Sequence, residues 1–443
     1  MASVILISPA QPNKTDASVS KMCILFNLLR SVPAGRVACI LLVGSLIIGP
    51  SCVAAEELRF EVIEDAGIAR FSYPIRVKLK PKKPVAPEAN FRLLGGHEPV
   101  TAQIRRDQTS GSSNHWWLDF NISLLPYESK QFTLQYGADV PTGPQRSKGH
   151  VLTQREDTFE VSNAPYITWT VPHDLTGLLR SVAFPPNDHL RSASPGLLYV
   201  DRNGNSHRIG GDSWQVTPQV VSHGREGVAL RFEVASEQPE LREVSAVVDL
   251  YFPVTKSWVE VDWQVTDPHG NVSAIGAELN LNVDAPTPQA PTLVDFGATS
   301  LVYAALRAGQ WAELRAGSSA GPASEYAWQV FRGRGEKREP LVFGSRQTAA
   351  QAPPEGWAHV MDRHSCLALA LHEFSQHGED LIQLAAEGRV RIQRTFRNQR
   401  EQGEASPKRL RFWMHFVYFP PHRSAATSPQ AMQNPLVVRW QDP

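Results

Sequence analysis

The chain has 443 residues, with 44 basic and 44 acidic side chains, 42% hydrophobic residues, 34 prolines and 4 cysteines. That length supports two or three domains with substantial cores. The balanced charge, with no long run of one sign, gives no reason to expect nucleic acid or an anionic membrane surface as partner.

In chain order, the first element is a targeting segment. Residues 38–49 (ACILLVGSLIIG) are apolar, preceded by Arg30 and Arg36 and followed by small residues up to Ala55. This is the pattern of a secretory signal peptide, too short to span a bilayer. Val53 and Ala55 fit the −3 and −1 positions of a cleavage site, which would make Glu56 the first residue of a secreted or periplasmic product; Met22 is an alternative start. Lipid attachment at Cys52 is disfavoured by Gly49-Pro50-Ser51 before it. Loss of residues 1–55 removes Cys23, Cys39 and Cys52, leaving Cys366 as one thiol in the apolar run Cys366–Leu371, where an inert buried role is expected over a nucleophilic one. No membrane span is expected to remain.

The rest reads as all-β. Short alternating stretches recur between clusters of Pro, Gly, Asn and Asp, with little helical periodicity. A small β-barrel or sandwich is expected over 56–138, a Pro/Gly-rich linker over 139–156, and a large β-supersandwich over 157–443. Within the latter, residues 227–284 read as a four-stranded antiparallel meander. Its clearest strand is Ser257 to Val265, where Ser257, Val259, Val261, Trp263 and Val265 point one way and Trp258, Glu260, Asp262 and Gln264 the other. Arg409 to Phe419, apolar on both faces toward its end, is expected to be a central strand.

Several segments together carry a family resemblance. In the small domain these are Tyr73-Pro74-Ile75-Arg76-Val77, Val100-Thr101-Ala102-Gln103, Trp117-Leu118-Asp119-Phe120 and Leu125-Pro126-Tyr127-Glu128-Ser129; further on come Gly356-Trp357 to Arg363 and Cys366 to Phe374. In this order they resemble the N-terminal barrel and central sandwich of exo-rhamnogalacturonan lyase-like proteins, whose sandwich is similar to that of galactose mutarotases. The resemblance implies a carbohydrate-active or carbohydrate-binding protein. It also implies a departure, since those relatives continue into a helical toroid that helps form the cleft, and no such half is present in this sequence.

If the protein is an enzyme, the resemblance implies a polysaccharide lyase or sugar epimerase, which needs a base and a cation to hold a uronate carboxylate. His173 and Arg180, in a loop-like segment, are candidates for these two roles, with a turn-capping His173–Asp174 pair and a surface arginine as the alternative. Candidate substrate-binding residues are His359, Asp362, Arg363 and His364, against a reading as polar strand-end residues. On the polar sheet face they are Trp258, Glu260 and Asp262, grouped with Arg231, Glu233, Asp249, Tyr251, Glu278, Asn280 and Asn282, since carboxylates next to an aromatic suit sugar hydroxyls and apolar ring faces. One face of such a sheet is polar in any case. Of the neighbours Trp116 and Trp117, one should enter the core and the other face out, with Trp116 the candidate for stacking on a sugar.

No cofactor or metal is expected. His372 and His377 are one residue too far apart for the zinc-protease pattern, and Asp201 to Asn205 reads as a hairpin turn at Asn203-Gly204 rather than a calcium loop. The expected partner is a polysaccharide or oligosaccharide; the alternative is a non-catalytic envelope protein that binds a partner protein or glycan. Convergence of His173 and Arg180 in a concave pocket with a sheet carboxylate would favour an enzyme.

Overall fold

Alternation is realised most plainly in the strand Trp258–Thr266: Val259, Val261, Trp263 and Val265 are buried in one core while Glu260 and Asp262 lie half-buried on the other face. The computed structural model describes residues 56–79, 81, 84–86, 88–107, 114–191, 194–298, 301–317, 326–345, 354–396, 408–417 and 427–441. The expected signal peptide, with Cys23, Cys39 and Cys52, lies outside them. No helix among the described residues is long and apolar enough to cross a membrane.

The described residues are nearly all β. A nine-stranded antiparallel sheet runs from Trp214–His223 at one edge to Leu301–Leu306 at the other, with Trp258–Thr266, Lys408–Val417 and Cys366–Leu371 adjacent at its centre. An eight-stranded sheet faces it. Between them lies the larger core, built from such residues as Leu230, Val261 and Phe412 of the first sheet and Ile275, Leu314 and Ile382 of the second. A five-stranded sheet that includes Thr158–Asn163 and Ile167–Pro172 contributes Phe159 and Trp169 to this core.

The four-stranded meander is corrected by the structure. Gly227–Ser236, Ser245–Pro253 and Trp258–Thr266 do pair in sequence. Val272–Asn280, however, crosses to the eight-stranded sheet, where it pairs with Gly196–Asp201 and Arg389–Thr395. The reversal is fixed at Asp267, whose carboxylate accepts hydrogen bonds from the Asn271 and Val272 amides and from the Lys408 ammonium. The expected central strand does lie between two partners, and Gly204 supplies the positive φ of the hairpin between Gly196–Asp201 and Ser206–Arg208.

The N-terminal region forms two open sheets. A three-stranded sheet orders Arg70–Leu79, Trp116–Leu124 and Ala102–Arg106. A second five-stranded sheet, distinct from that of Thr158–Asn163, holds Glu56–Ile63, Asn90–Gly95, Glu98–Val100 and Ser129–Gly137, and it is completed by Val437–Gln441. Their shared core includes Phe60, Ile75, Leu118 and Phe132, and extends without a break onto Trp258, Trp357, Ala368, Ala370 and Trp413 of the nine-stranded sheet. That sheet is thus covered on both faces. This is why all six residues of Cys366–Leu371 are buried, Cys366 among them as a free thiol whose pKa burial pushes up.

Candidate functional site

The register of the nine-stranded sheet builds a charged ladder on its outer face. Asp249 stands opposite both Arg231 and Asp262, and Glu260 opposite both Tyr251 and Trp413. Arg231 binds Asp249 through two hydrogen bonds of 2.7 and 2.8 Å, and Arg409 binds Asp262 through two of 2.7 and 2.6 Å. Glu260 accepts from Arg411 Nε at 2.7 Å and from the Trp413 indole N–H at 3.1 Å. The hydrogen bonds that Arg231 and Arg409 donate to Asp249 and Asp262 raise the pKa values of both arginines, keeping them charged.

A second wall comes from the three-stranded sheet, through Tyr73, Ile75, Arg76 and Trp117, with Leu436 and Val438 closing one side. The cleft between the walls has a volume of about 270 Å³. Arg76 lies over the Trp117 ring at 4.1 Å and the Tyr251 ring at 4.9 Å. Behind it, Asp119 is fully buried 3.9 Å from the Arg76 Nε, and burial pushes its pKa up to about 6 against the opposing effects of Arg76 and the Tyr251 hydroxyl. The cleft thus offers rigid aromatic side chains beside fixed donors and acceptors.

The residues singled out from the sequence fall into separate places. Trp258, Glu260 and Asp262 all line this cleft. Trp116 does not; it is buried in the small core with its ring 5.0 Å from Phe91, and its neighbour Trp117 faces the cleft instead. The reason is strand alternation across a sheet with one core face.

His173 and Arg180 lie at the five-stranded sheet beside Phe159. The His173 ring packs 4.4 Å from that of Phe159, and Arg180 makes an exposed 2.8 Å ion pair with Asp157. Asp174 accepts from the Thr176 amide and hydroxyl, which is the turn-capping arrangement. Neither His173 nor Arg180 lines the cleft.

The His359 to His364 cluster is divided. His359 is buried, with Nδ1 2.6 Å from Asp295 Oδ1. Asp362 and His364 instead line a shallow cavity of about 300 Å³ with Asp188 and Asp284, where Asp362 accepts from the amides of Asp284, His364 and Ser365. Arg363 is exposed. Among the described residues no group of three or more His, Cys, Asp or Glu is placed to hold a metal ion. In the turn considered for calcium, burial of Asp201 opposes ionisation, but hydrogen bonds from Asn205, His207 and Asn203 pull its pKa down to about 2.

Arg76, Arg409, Arg411 and Trp413 were not singled out from the sequence. The last three alternate along one strand, a signal that becomes readable once that strand is known to lie beside Trp258–Thr266. Glu278 and Asn280, grouped from the sequence with this face, belong to the opposite sheet, where Glu278 pairs with Arg208.

No protein-family model matches the chain, and no curated protein matches it. Among solved structures, the chain is similar to a glycosyl hydrolase family 38 protein from Enterococcus faecalis, with 8% identity and a TM-score of 0.52 over 87% of this chain and 47% of that one. It is similar in the same way to an α-mannosidase from Enterococcus faecalis, with 8% identity and a TM-score of 0.53 over 87% of this chain and 46% of that one. A galactose mutarotase-like protein from Lactobacillus casei matches at 10% identity and a TM-score of 0.31, over 61% of this chain and 100% of its own. The chain spans about half the length of the two enterococcal structures, and what the likeness to them shows is the β-fold.

Proposed function

We propose that the protein is exported and binds carbohydrate in the cleft between the nine-stranded and three-stranded sheets. The observation that carries this reading is the convergence of Trp117, Tyr251 and Trp258 with the Arg409–Asp262 and Arg411–Glu260 pairs around one cavity. Sugar rings offer apolar faces to aromatic side chains, and their hydroxyls need donors and acceptors held in place. The resemblance to exo-rhamnogalacturonan lyase-like proteins suggests an acidic or deoxy-sugar polysaccharide as the class of ligand, and the α-mannosidase neighbour is in keeping with a carbohydrate role. Each carboxylate lining the cleft is engaged by an arginine, so none stands as an unencumbered base. Retention of a glycan without turnover is therefore the expected behaviour.

The test is incubation of the purified protein with an array of plant and algal polysaccharides, following both retention and the absorbance of unsaturated uronate. Retention lost in Trp117→Ala supports the reading. Product formation abolished by His173→Ala would replace it with a lyase, and silence on every glycan would move the role to a protein partner.

A further inference from the structure

Three of the four cleft arginines are hydrogen-bonded to carboxylates; Arg76 is not, among the described residues. It stands opposite Asp119 in the strand register, and Asp119 is enclosed, with neither oxygen accepting a hydrogen bond of normal geometry. We propose that Asp119 is a positioning residue that ties the cleft to a proton: an anionic group bound at Arg76 and a proton on Asp119 go together. This rests on the reading of the cleft as a binding site and adds its regulation and the charge of its ligand, a saccharide carboxylate or sulfate ester.

The physical basis is competition for one cation. A carboxylate cut off from water and poorly supplied with donors is costly, and what compensates Asp119 is chiefly the guanidinium of Arg76. The other groups acting on it are the Tyr251 hydroxyl, Glu226, which repels, and Arg105, which attracts. Arg76 in turn is held over Trp117 and Tyr251 with its side chain 14% exposed, toward the cleft. An anion that engages Arg76 from the cleft weakens the compensation of Asp119 and raises its proton affinity. By linkage, protonation of Asp119 releases Arg76 to the anion. The upward shift of Asp119 to about 6 puts this exchange near neutral pH.

The test follows binding of D-galacturonate, D-galactose and inorganic sulfate to the full chain by tryptophan fluorescence at pH 5.5 and 7.5. Galacturonate should bind wild type about tenfold more tightly at the lower pH, and Asp119→Asn should bind it equally well at both. Arg76→Met should lose galacturonate, and galactose should show no pH dependence. Calorimetry in two buffers of different ionisation enthalpy should detect proton uptake with galacturonate in wild type. Equal affinities at the two pH values, an unchanged slope in Asp119→Asn, or no proton uptake overturns the inference. If neither sugar binds but sulfate binds with a slope that Asp119→Asn abolishes, the saccharide reading falls and the proton coupling stands. If sulfate does not bind either, both fall.

Discussion

Trp413 and Glu260 face each other directly across neighbouring strands, and the indole N–H donates to the carboxylate at 3.1 Å while Arg411 holds the other oxygen at 2.7 Å. One side chain therefore satisfies two groups, a buried indole and a mostly buried guanidinium. Glu260→Ala should cost about 2 kcal/mol of stability, since it leaves both donors without an acceptor. Glu260→Gln, which keeps one acceptor oxygen, should cost about half of that. Urea unfolding midpoints check the order; a neutral Glu260→Ala would mean that water replaces the carboxylate.

The adjacent tryptophans should separate folding from binding. Trp116→Ala opens a cavity in the small core and should destabilise by about 3–5 kcal/mol. Trp117→Ala, which gives up only partial packing on Val221, Ala229 and Tyr251, should cost less, about 1–2 kcal/mol, and abolish glycan retention. Denaturation and affinity electrophoresis on the retained glycan measure the two effects.

Two pH effects of opposite sign are expected. Burial pushes His415 and His150 down to about 4, below the ordinary histidine value. Their folded pKa values are depressed, so the unfolded chain binds protons that the native chain refuses. Their contribution is complete above about pH 6.5 and is lost as pH falls toward 4. Asp119, raised to about 6, acts the other way: its contribution is present below about pH 3.8 and lost as pH rises through 6. Asp119→Asn should therefore raise the melting temperature at pH 8 and leave it unchanged at pH 3.5. A variant equally stabilised at both would point to packing instead of charge.

Gly297 has no room for a side chain. A Cβ there would lie 2.1 Å from the Trp357 indole, which is itself 2% exposed and bonded to Glu355. Gly297→Ala should cost about 1–3 kcal/mol through displacement of that ring. The loss should appear with a change in near-ultraviolet circular dichroism.

What was legible in the sequence follows the number of faces a strand buries. Trp258–Thr266 announced its inward and outward sets because its outer face keeps Glu260, Asp262 and Gln264. Trp357–Met361 and Cys366–Leu371 are buried throughout, so their residues carry no alternation and no hint of which face meets the small domain. Half of the cleft was readable as a polar sheet face. Its other wall, Arg76 and Trp117, lies more than a hundred residues away in sequence, and only the docking of one core on the other brings it near. His173 drew attention by its residue type, yet its ring is used against Phe159.

The pairing of Val437–Gln441 with Glu56–Ile63 bears on how the protein emerges from synthesis. Glu56–Ile63 is synthesised more than 370 residues before the strand that becomes its outer neighbour, Val437–Gln441. During that interval its edge is open to mispairing with other chains. Leu436 and Val438, which close the cleft, arrive in the same final stretch. Chains truncated before residue 436 should therefore keep every strand of the large sandwich, Lys408–Val417 included, and lack one side of the cleft, so ligand capture reports on the docking of this late segment.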